Sequence, residues 1–172
     1  MDLEKRREIL EKIERASDEE YVTTWDSDGK IGQQKKKSEM KKGKKSKLSG
    51  NKFEVVVRKD LEEKGWVVSK WSNNVDLDEK KIISAKRKFN PFSKVMALGT
   101  GFPDFIAFQN IGENYKIIGV EVKLNGLLDK EEKEKCEFYL EKKTFNEIWI
   151  ASKGENGIKY IDVKEIIERM RE

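Results

Sequence analysis

The chain has 172 residues, of which 41% are charged and 36% apolar, and it carries a net charge of +4. It contains no histidine, which excludes Ser-His-Asp and Cys-His nucleophile systems and any nuclease whose base is an imidazole. Cys136 is the only cysteine, so an intrachain disulfide is excluded and a zinc site lacks its usual ligands. No apolar run approaches the roughly 18 residues that span a membrane, and the charged N-terminus does not resemble a secretory signal. We therefore expect a cytoplasmic protein without a membrane partner, whose acid–base chemistry depends on carboxylates, lysines or a metal-bound water.

Residues 1–48 are predicted to form an extension made of a charged helix and a lysine-rich arm. An apolar stripe at helical spacing runs through residues 2–20 and would pack on the body of the protein or on a partner subunit. A turn is expected at TTWDSDGKIG. Residues 33–48 carry eight lysines and one glutamate and have almost nothing to bury, which predicts a mobile linker. This segment is either a solvated spacer or a basic arm that makes non-specific contacts with phosphates through Lys35, Lys36, Lys37, Lys41, Lys42, Lys44, Lys45 and Lys47.

One compact domain is predicted from residue 49 to residue 172. Its elements follow the order α-β-β-β-α-β, with a long polar and basic connection at residues 73–101. The predicted helices and strands are a helix from Ser49 or Asn51 to about Lys64, a strand from Trp66, strands at 104–109 and 116–123, a helix at 129–142, strands at 147–152 and 158–161, and a last helix capped by Asp162. This order favours an α/β domain with a central mixed sheet flanked by helices.

Two carboxylates and a lysine are predicted to share one face of this sheet. If GFPDFIAF and GVEVK pair as an antiparallel hairpin with residues 110–115 as its loop, Asp104 lies directly opposite Glu121. Directly opposed residues share a face, with Cβ atoms about 4.5–5.5 Å apart. Lys123 follows Glu121 by two positions and lies on the same face, while the valines beside Glu121 point into the core. A shift of one residue in the register would destroy this arrangement.

The opposed carboxylates repel each other unless something compensates their charge. A divalent cation between them, or a proton on one of them, would relieve the repulsion. Oxygen ligands suit Mg²⁺, for which Mn²⁺ can substitute. The alternative is purely structural, with Lys123 forming salt bridges to Asp104 and Glu121. The sequence thus predicts either a metal site or a charged brace at this point.

The same residues resemble the core signature of the PD-(D/E)XK nuclease superfamily, with Pro103-Asp104 and Glu121-Val122-Lys123 as the motif. GNKFEVVVRKDLEEKGWVV resembles the first helix and strand of archaeal Holliday junction resolvases, in which Glu54 occupies the position of an acidic residue. GFPDFIAF, GVEVKLNGLLDKEEKEK and EIWIA also resemble virus-type replication-repair (VRR-NUC) nucleases. These families often place a Gln on the following helix, where this chain has Glu132, beside Lys133.

This resemblance implies a restriction-endonuclease-like core and a Mg²⁺-dependent DNA endonuclease. Asp104, Glu121 and the Val122 carbonyl would hold the metal ion, and Lys123 would orient or deprotonate the attacking water. Glu54 would act through a water or hold a second ion. The implied substrate is a Holliday junction or other branched DNA in recombination or repair. Single-strand or flap cleavage, restriction-like cutting of duplexes, and DNA binding without catalysis remain alternatives.

A basic segment just before the signature is the second candidate contact with DNA. SAKRKFNPFSK interleaves basic and aromatic residues, a mixture that can grip phosphates and stack on unpaired bases. The residues concerned are Lys86, Arg87, Lys88, Phe89, Phe92 and Lys94. The alternative is a basic surface loop pinned by two buried phenylalanines. Resolution of a junction needs two active sites at a fixed separation, so a resolvase would also form a homodimer.

Overall fold

The computed structural model describes residues 2–90, 94–99 and 101–168, which form two compact units, residues 1–49 and 50–172. In the part of the chain that is described, no helix is long and apolar enough to cross a membrane. The division between the two units falls inside a single helix, Lys37–Glu63.

The N-terminal unit consists of a helix, a β-hairpin and the start of that long helix. Helix α1 spans Leu3–Ser17, and strands β1 (Tyr21–Trp25) and β2 (Ile31–Lys36) pair antiparallel. The predicted helix and turn are confirmed. The apolar stripe of α1, made of Leu3, Ile9, Leu10 and Ile13, is exposed, each residue by at least 46%.

The lysine-rich segment is not a mobile linker, contrary to the prediction. Lys35 and Lys36 pair with β1 at the end of β2, and the following lysines lie in helix α2 (Lys37–Glu63). The domain's first helix therefore begins well before Ser49. The prediction followed from the lack of residues to bury, but lysine has a high helix propensity and needs no burial to extend a helix. All eight lysines are exposed.

The larger unit is built on a five-stranded mixed sheet with the order β11-β10-β9-β8-β3. Strands β9 and β10 run parallel, and the other neighbours are antiparallel. This confirms the predicted α/β class with a mixed central sheet flanked by helices. The bounds are β3 Val67–Lys70, β8 Phe105–Ile111, β9 Asn114–Val122, α3 Lys130–Glu141, β10 Glu147–Gly154, β11 Gly157–Asp162 and α4 Val163–Glu168.

Alternating side chains of the sheet build two separate cores. Phe105, Val120 and Val68 pack with Val57 and Leu61 of α2 on one face. The opposite core is formed with α3 and α4, and its buried members are Val75, Phe102, Leu128, Cys136, Phe138, Tyr139, Phe145, Ile148, Ile150 and Val163. The period of two along each strand explains this division. Val56 is 51% exposed although its neighbour Val57 is fully buried, so the buried stripe of α2 is narrow.

Two small ribbons make up the predicted polar connection. Strands β4 (Asn73–Asp76) and β5 (Lys81–Ser84) form the first, and β6 (Arg87–Asn90) and β7 (Val95–Leu98) form the second. The first ribbon begins beside Asp104. Trp71 donates its backbone N–H to the Asp104 carbonyl at 3.2 Å, and Phe102 donates to the Asn73 carbonyl at 2.9 Å. The first ribbon is thus anchored at the end of β8 that carries Pro103 and Asp104, while the second is closed at its base by a hydrogen bond from the Gly99 N–H to the Lys86 carbonyl at 3.0 Å.

Candidate active site

The hairpin of β8 and β9 has the predicted register. Gln109 pairs with Lys116 and Phe105 with Val120, so the next step places Asp104 opposite Glu121. The backbone N–H of Asp104 donates to Glu121 Oε2 at 3.1 Å. The strands continue further than expected, and the connection is a tight turn at Gly112 and Glu113 instead of a six-residue loop. The register holds because the two added residues on each strand also pair with each other.

Pro103 and Gly119 determine the local geometry beside the two carboxylates. A Cβ on Gly119 would lie 2.8 Å from Pro103 Cγ, so only glycine permits this close approach. Extending the register by one further step places Pro103 opposite Val122. Proline has no N–H, so the Val122 carbonyl opposite it receives no ladder hydrogen bond from Pro103. The Val122 N–H donates to Asp104 Oδ2 at 3.0 Å, which fixes that carboxylate at the end of the hairpin.

Burial and nearby negative charges make both carboxyl groups weak acids. Burial raises the pKa of Glu121 to about 8, and the charge of Asp104 contributes to this rise. The pKa of Asp104 is also raised, mainly by burial and further by the nearby Glu54 carboxylate, although its hydrogen bond from Val122 opposes the change. Because both carboxyl groups are difficult to ionise, the pair should share a proton or bind a cation.

Lys123 lies between two glutamates at the end of β9. Its Nζ lies 3.4 Å from Glu121 Oε1, and it also donates a hydrogen bond to Glu132 Oε1 of α3. Burial by itself would lower the pKa of Lys123, but the hydrogen bond to Glu132 and the charge of Glu121 raise it above its usual value. The three residues of the predicted trio are therefore together, and the lysine is held as a cation.

Glu54 approaches the site from the other face of the sheet. It is close enough to Asp104 to raise the pKa of that carboxyl, and it forms an ion pair with Lys70 of β3. The Lys70 Nζ also lies 4.5 Å from the centre of the Phe105 ring. Lys70 was not identified from the sequence. Lys70 lies near Asp104 because β3 pairs with β8. In that pairing Lys70 is opposite Phe105, the residue that follows Asp104.

The predicted DNA-contacting residues of the larger unit lie on the second ribbon. Lys86, Arg87 and Lys94 are exposed, and Phe89 is 60% exposed, so it does not pin the ribbon to the core. The side chain of Lys88 and the whole of Phe92 fall outside the described residues. The eight lysines of residues 33–48 are exposed on β2 and α2.

The oxygen atoms around Asp104 and Glu121 indicate which kind of metal ion could bind there. Across residues 2–90, 94–99 and 101–168, no three acidic or cysteine side chains are grouped so that they could hold a metal. The candidate ligands are the two facing carboxylates and the Val122 carbonyl, which has no N–H opposite it on β8 because Pro103 occupies that place. Oxygen atoms alone are the ligand type of Mg²⁺ and Mn²⁺, so the residues fit a hard divalent cation that keeps several waters.

Comparisons of the chain with protein-family models, with curated proteins and with solved structures found no match.

Proposed function

We propose that this protein is a Mg²⁺-dependent DNA endonuclease with a restriction-endonuclease-like core of the PD-(D/E)XK type. The observation that carries the proposal is the direct apposition of Asp104 and Glu121, with Lys123 on the same face of the sheet. The raised pKa of both acids supports it, since a purely structural position has no need for two carboxylates that oppose each other's ionisation.

The roles of the residues follow from their positions. Asp104, Glu121 and the Val122 carbonyl would hold the cation, which when bound neutralises phosphate charge and makes a coordinated water more acidic. Lys123 carries a positive charge beside Glu121 and would orient the attacking water and stabilise the charge that develops on the phosphate. Glu54 and Lys70 form a second ion pair on the far side of Asp104, from which Glu54 would act through a water.

Exposed basic and aromatic residues supply the surface for a polyanionic substrate. Phe89 is 60% exposed on β6, and Lys86, Arg87 and Lys94 of the same basic segment are also exposed. An exposed aromatic ring next to cations can stack on an unpaired base while the cations contact phosphates. This combination favours branched or partly single-stranded DNA, as in recombination and repair. The exposed lysines of β2 and α2 would add contacts with phosphate that do not depend on sequence.

The test is a cleavage panel with increasing Mg²⁺ on plasmid, four-way junction, flap and single-stranded DNA. Wild type should cut at least one branched or single-stranded substrate, and Asp104→Asn should cut none at a measurable rate. Glu147→Gln is the control, because Glu147 pairs with Lys116 on β9 at 2.6 Å and takes no part in the site. If wild type cuts nothing but binds the panel, the protein is a DNA-binding protein with a nuclease fold.

The choice among branched substrates depends on oligomeric state. A resolvase makes two symmetric cuts and requires a two-fold dimer, whereas a flap nuclease can act as a monomer. Light scattering at micromolar concentration, with and without junction DNA, distinguishes the dimer from the monomer. A monomer under both conditions contradicts junction resolution and leaves flap or single-strand cleavage.

A further inference from the structure

Glu132 connects the end of β9 with the beginning of α3 through both of its carboxylate oxygens. Oε1 accepts a hydrogen bond from Lys123 Nζ, and Oε2 accepts one from the backbone N–H of Asp129 at 3.0 Å. Asp129 in turn accepts from the Glu132 N–H at 2.8 Å, which completes a capping box. The Glu132 side chain is only 18% exposed, so this bridge is largely shielded from water.

The ion pair with Glu132 is the closer of the two that Lys123 forms. Lys123 Nζ is 3.4 Å from Glu121, but Glu121 is one of the two carboxylates proposed to bind the cation. Glu132 lies outside that pair and its other oxygen is already fixed by the helix cap. A lysine side chain has four rotatable bonds and holds a single geometry only when a rigid partner fixes its ammonium group.

We propose that Glu132 is a positioning residue that holds the Lys123 ammonium against the Asp104–Glu121 pair, with its second carboxylate oxygen fixed by the backbone N–H of Asp129. This inference rests on the proposed nuclease function. It makes the first turn of α3 part of the site. Loss of the charge on Glu132 should weaken the restraint, because the Lys123 ammonium would then face a neutral amide oxygen instead of a carboxylate.

Two substitutions at Glu132 and one at Asp129 separate positioning from helix capping. Glu132→Gln keeps an acceptor for the Asp129 N–H but removes the charge, and Glu132→Ala removes both. Asp129→Ala weakens the cap and leaves the Glu132 carboxylate in place. With a cleavable substrate, kcat should fall about three- to tenfold for Glu132→Gln and further for Glu132→Ala, with KM for DNA unchanged. Asp129→Ala should lower the melting temperature while kcat stays close to wild type.

Acetylation of lysines measures the same restraint without any cleavage. Lys116 is an internal reference of matched exposure, because it is 28% exposed against 27% for Lys123; it is paired with Glu147, whereas Lys123 is paired with two glutamates. Lys130, which is 93% exposed, reports the rate for an open lysine. Limited acetic anhydride treatment and peptide mass spectrometry should show Lys123 reacting several-fold faster in Glu132→Gln, while Lys116 is unchanged.

Each outcome bears on one of the two proposals. Equal acetylation of Lys123 in wild type and Glu132→Gln overturns the positioning role, as does a kcat loss in Asp129→Ala as large as that in Glu132→Gln. A wild type that cleaves no substrate refutes the nuclease function, and the acetylation ratio then still decides whether Glu132 holds Lys123.

Discussion

Substitution of Asp104 by asparagine should stabilise the metal-free protein at alkaline pH. Asparagine keeps an oxygen for the Val122 N–H, and the backbone N–H that donates to Glu121 is unaffected. The substitution therefore removes one negative charge from the pair and preserves its hydrogen bonds. Most substitutions of a buried hydrogen-bonded residue destabilise a protein, so a gain in stability is a specific signature of opposed charges.

The sign and size of the effect follow from the raised pKa values of the two carboxyl groups. The pKa of Glu121 rises from 4.5 to about 8, mainly through burial and then through Asp104. Between these values the folded state binds more protons than the unfolded state, so the free energy of unfolding falls as pH rises. The full shift corresponds to roughly 5 kcal/mol at most. The part due to Asp104 is about 1–3 kcal/mol, which Asp104→Asn should recover at pH 8 and progressively less toward pH 5.

Urea denaturation in EDTA from pH 5 to pH 8.5 measures this difference. Glu147→Gln provides a control of opposite sign. Burial raises the pKa of Glu147, but hydrogen bonds from Lys116 and Trp149 lower it below its usual value. That glutamate stabilises the protein above pH 4.5, and its loss should destabilise at pH 7. If Asp104→Asn is less stable than wild type at pH 8, Asp104 is a structural salt-bridge partner and the charged-pair reasoning is wrong.

Three further predictions concern the metal, the lysine-rich segment and the packing beside the motif. Mn²⁺ at ten to a hundred times its Kd should stabilise wild type by about 1–3 kcal/mol in thermal melts and have little effect on Asp104→Asn; a normal shift in the mutant excludes Asp104 as a ligand. Replacing four exposed lysines by glutamine should weaken DNA binding and reduce the slope of log K against log salt; the four are Lys41, Lys44, Lys45 and Lys47. An unchanged slope would mean that these lysines form a solvated surface without contact to DNA. Gly119→Ala should destabilise by about 1–3 kcal/mol, because its Cβ would lie 2.8 Å from Pro103, whereas Gly43→Ala, with open space around it in α2, should stabilise by about 0.5–1 kcal/mol in urea. Equal effects at the two glycines would contradict the packing argument.

The sequence by itself determined the centre of the candidate site. Asp104, Glu121 and Lys123 lie on two strands joined by a short turn, so period-two alternation and one choice of register were enough to place them on one face. The element order also predicted the α/β class, since each helix and strand of the larger unit carries its own local pattern. The capping box of Asp129 and Glu132 is likewise a local signal.

Only the tertiary structure decided what surrounds that centre. Lys70 reaches Asp104 because β3 pairs with β8, a strand that begins 35 positions later in the sequence, and no local pattern encodes that partner. Glu132 meets Lys123 because α3 packs on the sheet, a contact that its cap alone does not specify. The lysine-rich segment was wrongly predicted to be a mobile linker because it has almost no apolar residues to bury. Its helix depends on the helix propensity of lysine and not on burial, so a hydrophobic pattern could not indicate it. The spacing of apolar residues along the sequence indicates which side chains become buried. Which charged residues pair depends on which distant helices and strands the core brings together.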